Sequence, residues 1–515
     1  MRVPLTIGDF LERAGAVYPD RVALVDEPGV RGSLGRITYE ELHSRARAMA
    51  IGLEQMGIGP GERVGLVSPN SGRFLISFFG VSGFGRVLVP INYRLNSEEI
   101  AFILEHSGTR LLLVDPELAD DLSGMPVKER VVLDGVADAE LFAPAPAAAL
   151  PSRVEIDEDA TCSINYTSGT TARPKGVQLT HRNCWLNAVT FGWHTTVNDH
   201  DRLLHTLPMF HCNGWGMPYA VTAMGGTHVV QRKIDGEVIL DRVASEGITL
   251  MCAAPAVIAS ILDAGRARLK SGREIPGGGS VRIVVAGAPP PSRTIERVEA
   301  ELGWELIQIY GLTETSPLLT INRTPREWSA LAPSERAVAL SRAGVPAVGV
   351  RISVDDSGEI LARSNNVFAG YWRQPDATAD ALEGGWFHTG DGGRYEGPYV
   401  VVSDRKKDVI ISGGENISSI EVEDCLYQHT AVAEVAVIGV PDERWGEAVT
   451  ALVVLRPNHS ATESELIEHC RSRIAHFKAP RRVEFRTELY RTATGKLQKF
   501  KLRQPYWEGR DKLVN

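Results

Sequence analysis

The run Thr167-Ser168-Gly169-Thr170-Thr171-Ala172-Arg173-Pro174-Lys175-Gly176 constrains this chain more than any other segment. It lies between an expected strand over residues 161–166 and an expected helix opening near Thr180, so it reads as a strand–loop–helix connection. Small and hydroxyl-bearing residues closed by a lysine offer backbone N–H groups, hydroxyls and an ammonium. Glycine lets backbone approach closely, so the loop has the chemistry of a polyphosphate cradle. The same residue types also favour an ordinary solvated turn. It is not a Walker A loop: Pro174 precedes the lysine where that motif has glycine, and Gly176 follows it where Ser or Thr would meet magnesium.

Around this loop the chain alternates. Residues 5–16 place Ile7, Phe10, Leu11 and Ala14 near helical spacing, and residues 39–56 form a second helical stretch ending at Gly57. Residues 63–67, 110–114, 281–287 and 305–310 are short apolar runs bounded by turn residues, the pattern of buried parallel strands. The later two carry polar motifs at their C-terminal ends, where open α/β sheets bind ligands. Residues 137–151, rich in Ala and Pro, read as a connector. A length of 515 residues predicts more than one domain, and we place the main boundary at residues 404–407. Beyond it, residues 432–440 and 448–455 read as strands. Thr462-Glu463-Ser464-Glu465 has capping-box form and opens a helix with Leu466, Ile467, Cys470, Ile474 and Phe477 on one face.

Composition excludes several classes. A net charge of −9, with no long Lys/Arg block, argues against a nucleic-acid partner. The six cysteines are scattered without a CxxC pair, which fits a reduced cytoplasm and disfavours zinc. The opening MRVPLTIGDFLERAG lacks the apolar core of a signal peptide, and no run approaches the about 18 apolar residues of a membrane span. The expected protein is therefore cytoplasmic, with no integral membrane segment. The sequence leaves the oligomeric state open, a homodimer included.

Downstream of the loop come Tyr310-Gly311-Leu312-Thr313-Glu314-Thr315, Thr389-Gly390-Asp391 and Asp404-Arg405-Lys406-Lys407-Asp408. Then follow Ser412-Gly413-Gly414-Glu415-Asn416 and Thr494-Gly495-Lys496. In this order the segments resemble the adenylate-forming superfamily of acyl-CoA synthetases, aryl-CoA ligases, adenylation domains and luciferases. The resemblance runs from about Thr38 to the C-terminus. It implies an α/β fold: a large multi-layer N-terminal domain with parallel and mixed sheets over 1–403, a hinge at 404–407, and a small mobile α+β lid over 408–515.

The resemblance also implies roles. A carboxylate activated as its acyl-AMP gains a good leaving group, so the site must hold ATP, Mg²⁺ and the acid in line with the α-phosphate. Thr167, Ser168, Gly169, Thr170, Thr171 and Lys175 would grip the β- and γ-phosphates. Glu314, with Thr167 nearby, would hold magnesium through hard oxygens. Tyr310 would stack on adenine against Gly287, Ala288 and Pro289, with Gln308 nearby and Thr313 in the same motif. Asp391 would accept from the ribose hydroxyls, and Arg405 would reach the ribose. Lys496 would meet the α-phosphate and the attacking carboxylate. Lys407 matches the hinge, and Gly414 would leave room for the thiol of CoA. Ala172 departs from the usual glycine of the loop, and Gly392 to Val400 depart from the usual acidic-Gly-Tyr turn.

Pro208-Met209-Phe210-His211-Cys212-Asn213-Gly214-Trp215-Gly216 bears on the acid. By residue type alone, His211 either orients a carboxylate or is a satisfied core histidine. The segment is similar to that of fatty acyl-CoA synthetases and related aliphatic-acid CoA ligases, which implies His211 at the carboxylate end and Trp215 at the acyl pocket; plain core packing is the other reading of Trp215. The expected activity is an AMP-forming acyl-CoA synthetase acting on a hydrophobic acid of fatty-acid or secondary metabolism. Medium- or long-chain acids are favoured, with aryl and polycyclic acids able to use the same frame. The alternatives are a freestanding adenylating enzyme that loads a carrier protein or passes acyl-AMP to a partner, and a non-catalytic nucleotide-binding protein.

Overall fold

Period-two burial sets the architecture. The computed structural model describes residues 2–146, 149–152, 154–167, 174–287, 290–405, 408–412, 415–442, 445–491 and 497–508. Along Thr109–Val114, Leu111 and Leu113 join one core cluster while Leu112 and Val114 join another. Along Arg282–Val285, Val284 faces the first cluster while Ile283 and Val285 face a third. Strands apolar on both faces must be covered on both faces, and they are.

Among the described residues the strands form sheets of nine, seven, five and four strands. The nine-stranded sheet has a parallel centre from Val22–Val25 to Glu305–Gly311 and antiparallel edges at Arg36–Thr38, Leu318–Asn322 and Val345–Pro346. The seven-stranded sheet is parallel through Thr161–Thr167, Val87–Ile91, Arg63–Val67, Thr109–Val114 and Glu129–Val132. It is closed at one side by antiparallel Lys175–Thr180 and Gly370–Tyr371. One core cluster joins both sheets to the helices Gly8–Val17, Tyr39–Gln55, Gly72–Gly80, His181–His194 and Met217–Met224. The helix Ser97–Ser107 covers the outer face of one sheet, and Gly236–Glu246 with Pro255–Lys270 cover the other.

The smaller domain is built on the five-stranded sheet. Ser419–Tyr427 and Glu463–Arg471 pack on one face and Lys499–Trp507 on the other. Tyr399–Arg405 ends the four-stranded sheet, and Ile410–Ser412 begins the five-stranded one. The two bodies touch where the Ser292 N–H donates to Asp424 Oδ1 at 3.2 Å and Arg293 to the Gln428 carbonyl at 2.8 Å. No helix of the described residues is long and apolar enough to cross a membrane.

Two local expectations are corrected. The Ala/Pro-rich connector contains a short helix, Ala139–Phe142, whose Leu141 and Phe142 are buried and whose preceding Asp138 pairs with Arg73. Alanine-rich composition masked an apolar pair with a core to join. The capping box at Thr462 forms, but its helix ends at Arg471, leaving Ile474 half-buried and Phe477 exposed. Ser472 there is the C-cap, and the Ile474 N–H bonds the Cys470 carbonyl in the closing turn.

Candidate active site

The phosphate-type loop is a hairpin mouth, and the expected strand–loop–helix connection is corrected: a second strand, Lys175–Thr180, begins at the end of the motif and precedes the helix, because its residues pair back onto the first strand. Thr161–Thr167 pairs antiparallel with Lys175–Thr180, and the register sets Thr167 opposite Lys175. Ser168, Gly169, Thr170, Thr171 and Ala172 lie outside the described residues. The Lys175 ammonium sits 4.6 Å from the centre of the Tyr371 ring, a cation–π contact that fixes its direction. Past Thr180, a reciprocal cap between Thr180 and Asn183 starts the helix His181–His194.

Glu314 lies in a tight turn, Thr313–Thr315, just past the strand Glu305–Gly311. Gly311 is required there, because a Cβ would overlap the Pro317 carbonyl oxygen. The Tyr371 hydroxyl donates to Glu314 Oε1 at 2.9 Å, and the Phe368 N–H donates to the Glu314 carbonyl at 2.8 Å. Burial, then the Glu314 charge and the hydrogen bond to it, push the Tyr371 phenol well up, so it stays a proton donor. Tyr371 therefore touches both the lysine and the carboxylate of the expected phosphate–magnesium region.

The Tyr310 hydroxyl donates to Asp391 Oδ2 at 2.9 Å. Asp391 is buried on the strand Phe387–Glu396, and its backbone N–H is held by Thr389 Oγ1 at 3.1 Å. Arg405 stands opposite Asp391 in the antiparallel register. Gln308 is buried two residues before Tyr310, and its Oε1 has no hydrogen-bond partner among the described residues. Gly287 is exposed at φ +91°, while Ala288 and Pro289 lie outside the described residues. Lys407, Gly414 and Lys496 lie outside them too.

The acid-type segment has an unusual backbone. Cys212, Asn213, Gly214, Trp215 and Gly216 have φ of +46°, +50°, +60°, +60° and +78°, a left-handed turn beginning just after His211. Three of these are not glycine, and each costs about 1–2 kcal/mol in this region. Such strain persists only where the surroundings over-determine it. Asn187 Nδ2 donates to the Trp215 carbonyl at 3.1 Å, and Asn213 Nδ2 donates to Ser163 Oγ at 2.8 Å. Asn165 Nδ2 donates to the same Ser163 oxygen at 2.9 Å, tying the turn to the phosphate-hairpin strand. Before the turn, the Met209 N–H donates to Asn70 Oδ1 at 2.7 Å. Trp215 is 4% exposed.

Sequence reasoning missed Tyr371, Asn187, Asn213 and Ser163. Asn187 carried a signal, since asparagine is a poor interior helix residue and needs a reason to be there. Tyr371 carried none, because its partners lie far away in sequence.

The donor chemistry fits magnesium. Glu314 offers hard oxygens, and Thr167 lies at the hairpin mouth. Among the described residues no group of three or more His, Cys, Asp or Glu forms a protein cage. An ion held by one carboxylate, substrate phosphates and water needs no more.

Residues 11–372 match the AMP-binding enzyme family, and residues 421–496 match the AMP-binding enzyme C-terminal domain. A 2-methylpropanoate–CoA ligase of Humulus lupulus is 36% identical, covering 97% of this chain and 95% of that protein. A 4-hydroxybutyrate–CoA ligase of Metallosphaera sedula is 36% identical, covering 96% and 93%. The crystal structure of an anthranilate CoA ligase with anthranoyl-AMP superposes with a TM-score of 0.87 at 27% identity, covering 98% of each chain.

Proposed function

The chain belongs to the AMP-binding enzyme family as an AMP-forming acid–thiol ligase using ATP and CoA, and from that premise we propose that it activates a short aliphatic acid of about four carbons. The observation that carries this reading is Trp215, almost wholly buried in the left-handed turn that follows His211 in the chain. A rigid indole there leaves less room for a chain than a small residue would. The relatives named for 2-methylpropanoate and 4-hydroxybutyrate favour the same size class.

In this reading Thr167 and Lys175 grip phosphate, together with Ser168, Gly169, Thr170 and Thr171. Glu314 and Thr167 would hold Mg²⁺, whose charge would offset that developing on the pyrophosphate. Tyr371 orients both Lys175 and Glu314. Tyr310 lies against adenine while its hydroxyl steadies Asp391 for the ribose, and Arg405 adds a cation. His211 orients the carboxylate. Lys496 stabilises charge at the α-phosphate during adenylation, and Gly414 admits the thiol for transfer. We take 1–403 as the substrate-binding body, 404–407 as the hinge around Lys407, and 408–515 as the lid. A change of sheet between Arg405 and Ile410 supports that division. The six free, buried cysteines suit the reducing cytoplasm.

The test is mass-spectrometric detection of products with ATP, Mg²⁺, CoA and acids of two to sixteen carbons, plus aryl acids. The expected result is acyl-CoA, greatest near four carbons and rising for longer acids in Trp215→Gly. A wild-type preference for long chains overturns the size reading. Acyl-AMP accumulating without thioester would identify a carrier protein as the acceptor.

A further inference from the structure

Asn187 stands where three parts of the site meet. It lies in the helix that follows the phosphate hairpin and is wholly buried. Its Nδ2 donates to the carbonyl of Trp215, inside the left-handed turn, at 3.1 Å. Its Oδ1 accepts from the N–H of Leu318 at 3.1 Å, at the start of the strand that follows the Glu314 turn. One amide thus spans the acid segment and the magnesium-side strand. The fit is close: a Cβ on Gly216 would collide with Asn187 Nδ2.

The turn does not hold itself. Three of its residues pay the left-handed penalty, and the helix-like bonds within it, such as the Gly214 N–H to the His211 carbonyl at 3.0 Å, do not choose the hand. Two side-chain amides tie it to other elements, Asn213 of the turn by donating to Ser163 and Asn187 by donating to the Trp215 carbonyl. Of these, only Asn187 comes from another element.

We propose that Asn187 is a positioning residue for the carboxylic acid: by bridging the Trp215 carbonyl and the Leu318 N–H, it holds the strained turn that sets His211 and Trp215. It touches neither the acid nor ATP. The inference rests on the reading that residues 208–216 receive the acid.

The test compares KM for the acid with KM for ATP in pyrophosphate release. Asn187→Asp keeps the size and the acceptor for Leu318 but replaces the donor with a carboxylate oxygen facing the Trp215 carbonyl. Acid KM is expected to rise about 10-fold or more with ATP KM within about 2-fold, since a buried hydrogen bond becomes a repulsion. A structural role would lower thermal stability and move both constants together or neither, and either result overturns the proposal. If Asn187→Asp does not fold, Asn187→Ser, smaller and uncharged, carries the same comparison. Trp215→Gly separates the two claims. Acid KM responding to Trp215→Gly but not to either Asn187 variant refutes the positioning role alone, whereas no response to Trp215→Gly refutes the acid-site reading.

Discussion

The Tyr371 hydroxyl donates to Glu314 Oε1 at 2.9 Å while the same ring lies 4.6 Å from the Lys175 ammonium. One side chain thereby sets a cation and an anion that are 139 residues apart in sequence. Tyr371→Phe keeps the ring and its contact with Lys175 but removes the hydrogen bond to a carboxylate, an interaction worth about 1.5–3 kcal/mol. We expect kcat/KM for MgATP to fall about 10- to 100-fold on that figure. The apparent magnesium requirement should rise, with KM for the acid little changed. Titrating magnesium at fixed ATP reads this directly, and an unaltered requirement would separate Tyr371 from the metal ligand.

Asp391 is buried beneath the Tyr310 hydroxyl, with its backbone held by Thr389. If it receives ribose hydroxyls, wild type should prefer ATP to 3′-deoxy-ATP, and Asp391→Ala should use the two almost equally. Its loss for ATP should be about 10-fold or more, the value of a charge-assisted hydrogen bond. Tyr310→Phe should retain the discrimination while weakening ATP binding modestly. A persistent preference in Asp391→Ala would place the ribose elsewhere.

A buried imidazole pair makes stability depend on pH. His205 Nε2 and His228 Nδ1 are 3.0 Å apart, and His228 Nε2 meets Thr222 Oγ1 at 3.0 Å. Burial pulls His205 down to about 3; burial, then its neighbour His205, pulls His228 well below the ordinary value. Both rings are therefore neutral in the folded protein, while the unfolded chain binds protons there below about pH 6.5. The contribution is whole above that pH and is lost as pH falls toward about 3, at up to about 1.4 kcal/mol per pH unit for each ring. The melting temperature should decline from pH 7.5 to 5.5, and less steeply in a His205→Asn, His228→Asn double variant. Parallel profiles would exclude the pair as a cause.

Local chemistry made much of this molecule readable. The helix after Thr462 announced itself by a capping box, and the strands over 63–67 and 305–310 by short apolar runs between turns. The strand over 305–310 carried motif residues at its C-terminal end, where open α/β sheets gather ligands. What stayed hidden were pairings without local cause. Nothing near Tyr371 points to Glu314, and nothing near Trp215 foretells a left-handed backbone, since that strain is held by Asn187 and Ser163 from other elements. The Phe477 expectation failed for the opposite reason: helical spacing continued in the sequence after the backbone hydrogen bonds had turned away.

The residues assigned by proposal to a lid and its hinge allow the sharpest separation of the two half-reactions. If Lys496 meets the α-phosphate as proposed, Lys496→Ala removes a cation from the charge developing there. It should lower pyrophosphate release about 100-fold or more, with the melting temperature unchanged. Transfer of a supplied acyl-AMP to CoA should be largely spared. Gly414→Val should do the reverse, since a branched side chain would crowd the thiol path and leave adenylation intact. If Lys407 is the hinge as proposed, Lys407→Pro restricts φ there and should impair one half-reaction more than the other. The readings are pyrophosphate release without CoA and thioester formation from preformed acyl-AMP. Equal loss of both in Lys496→Ala would mean that the lysine serves the fold or both steps alike, and the assignment of separate lid faces to separate steps would fall.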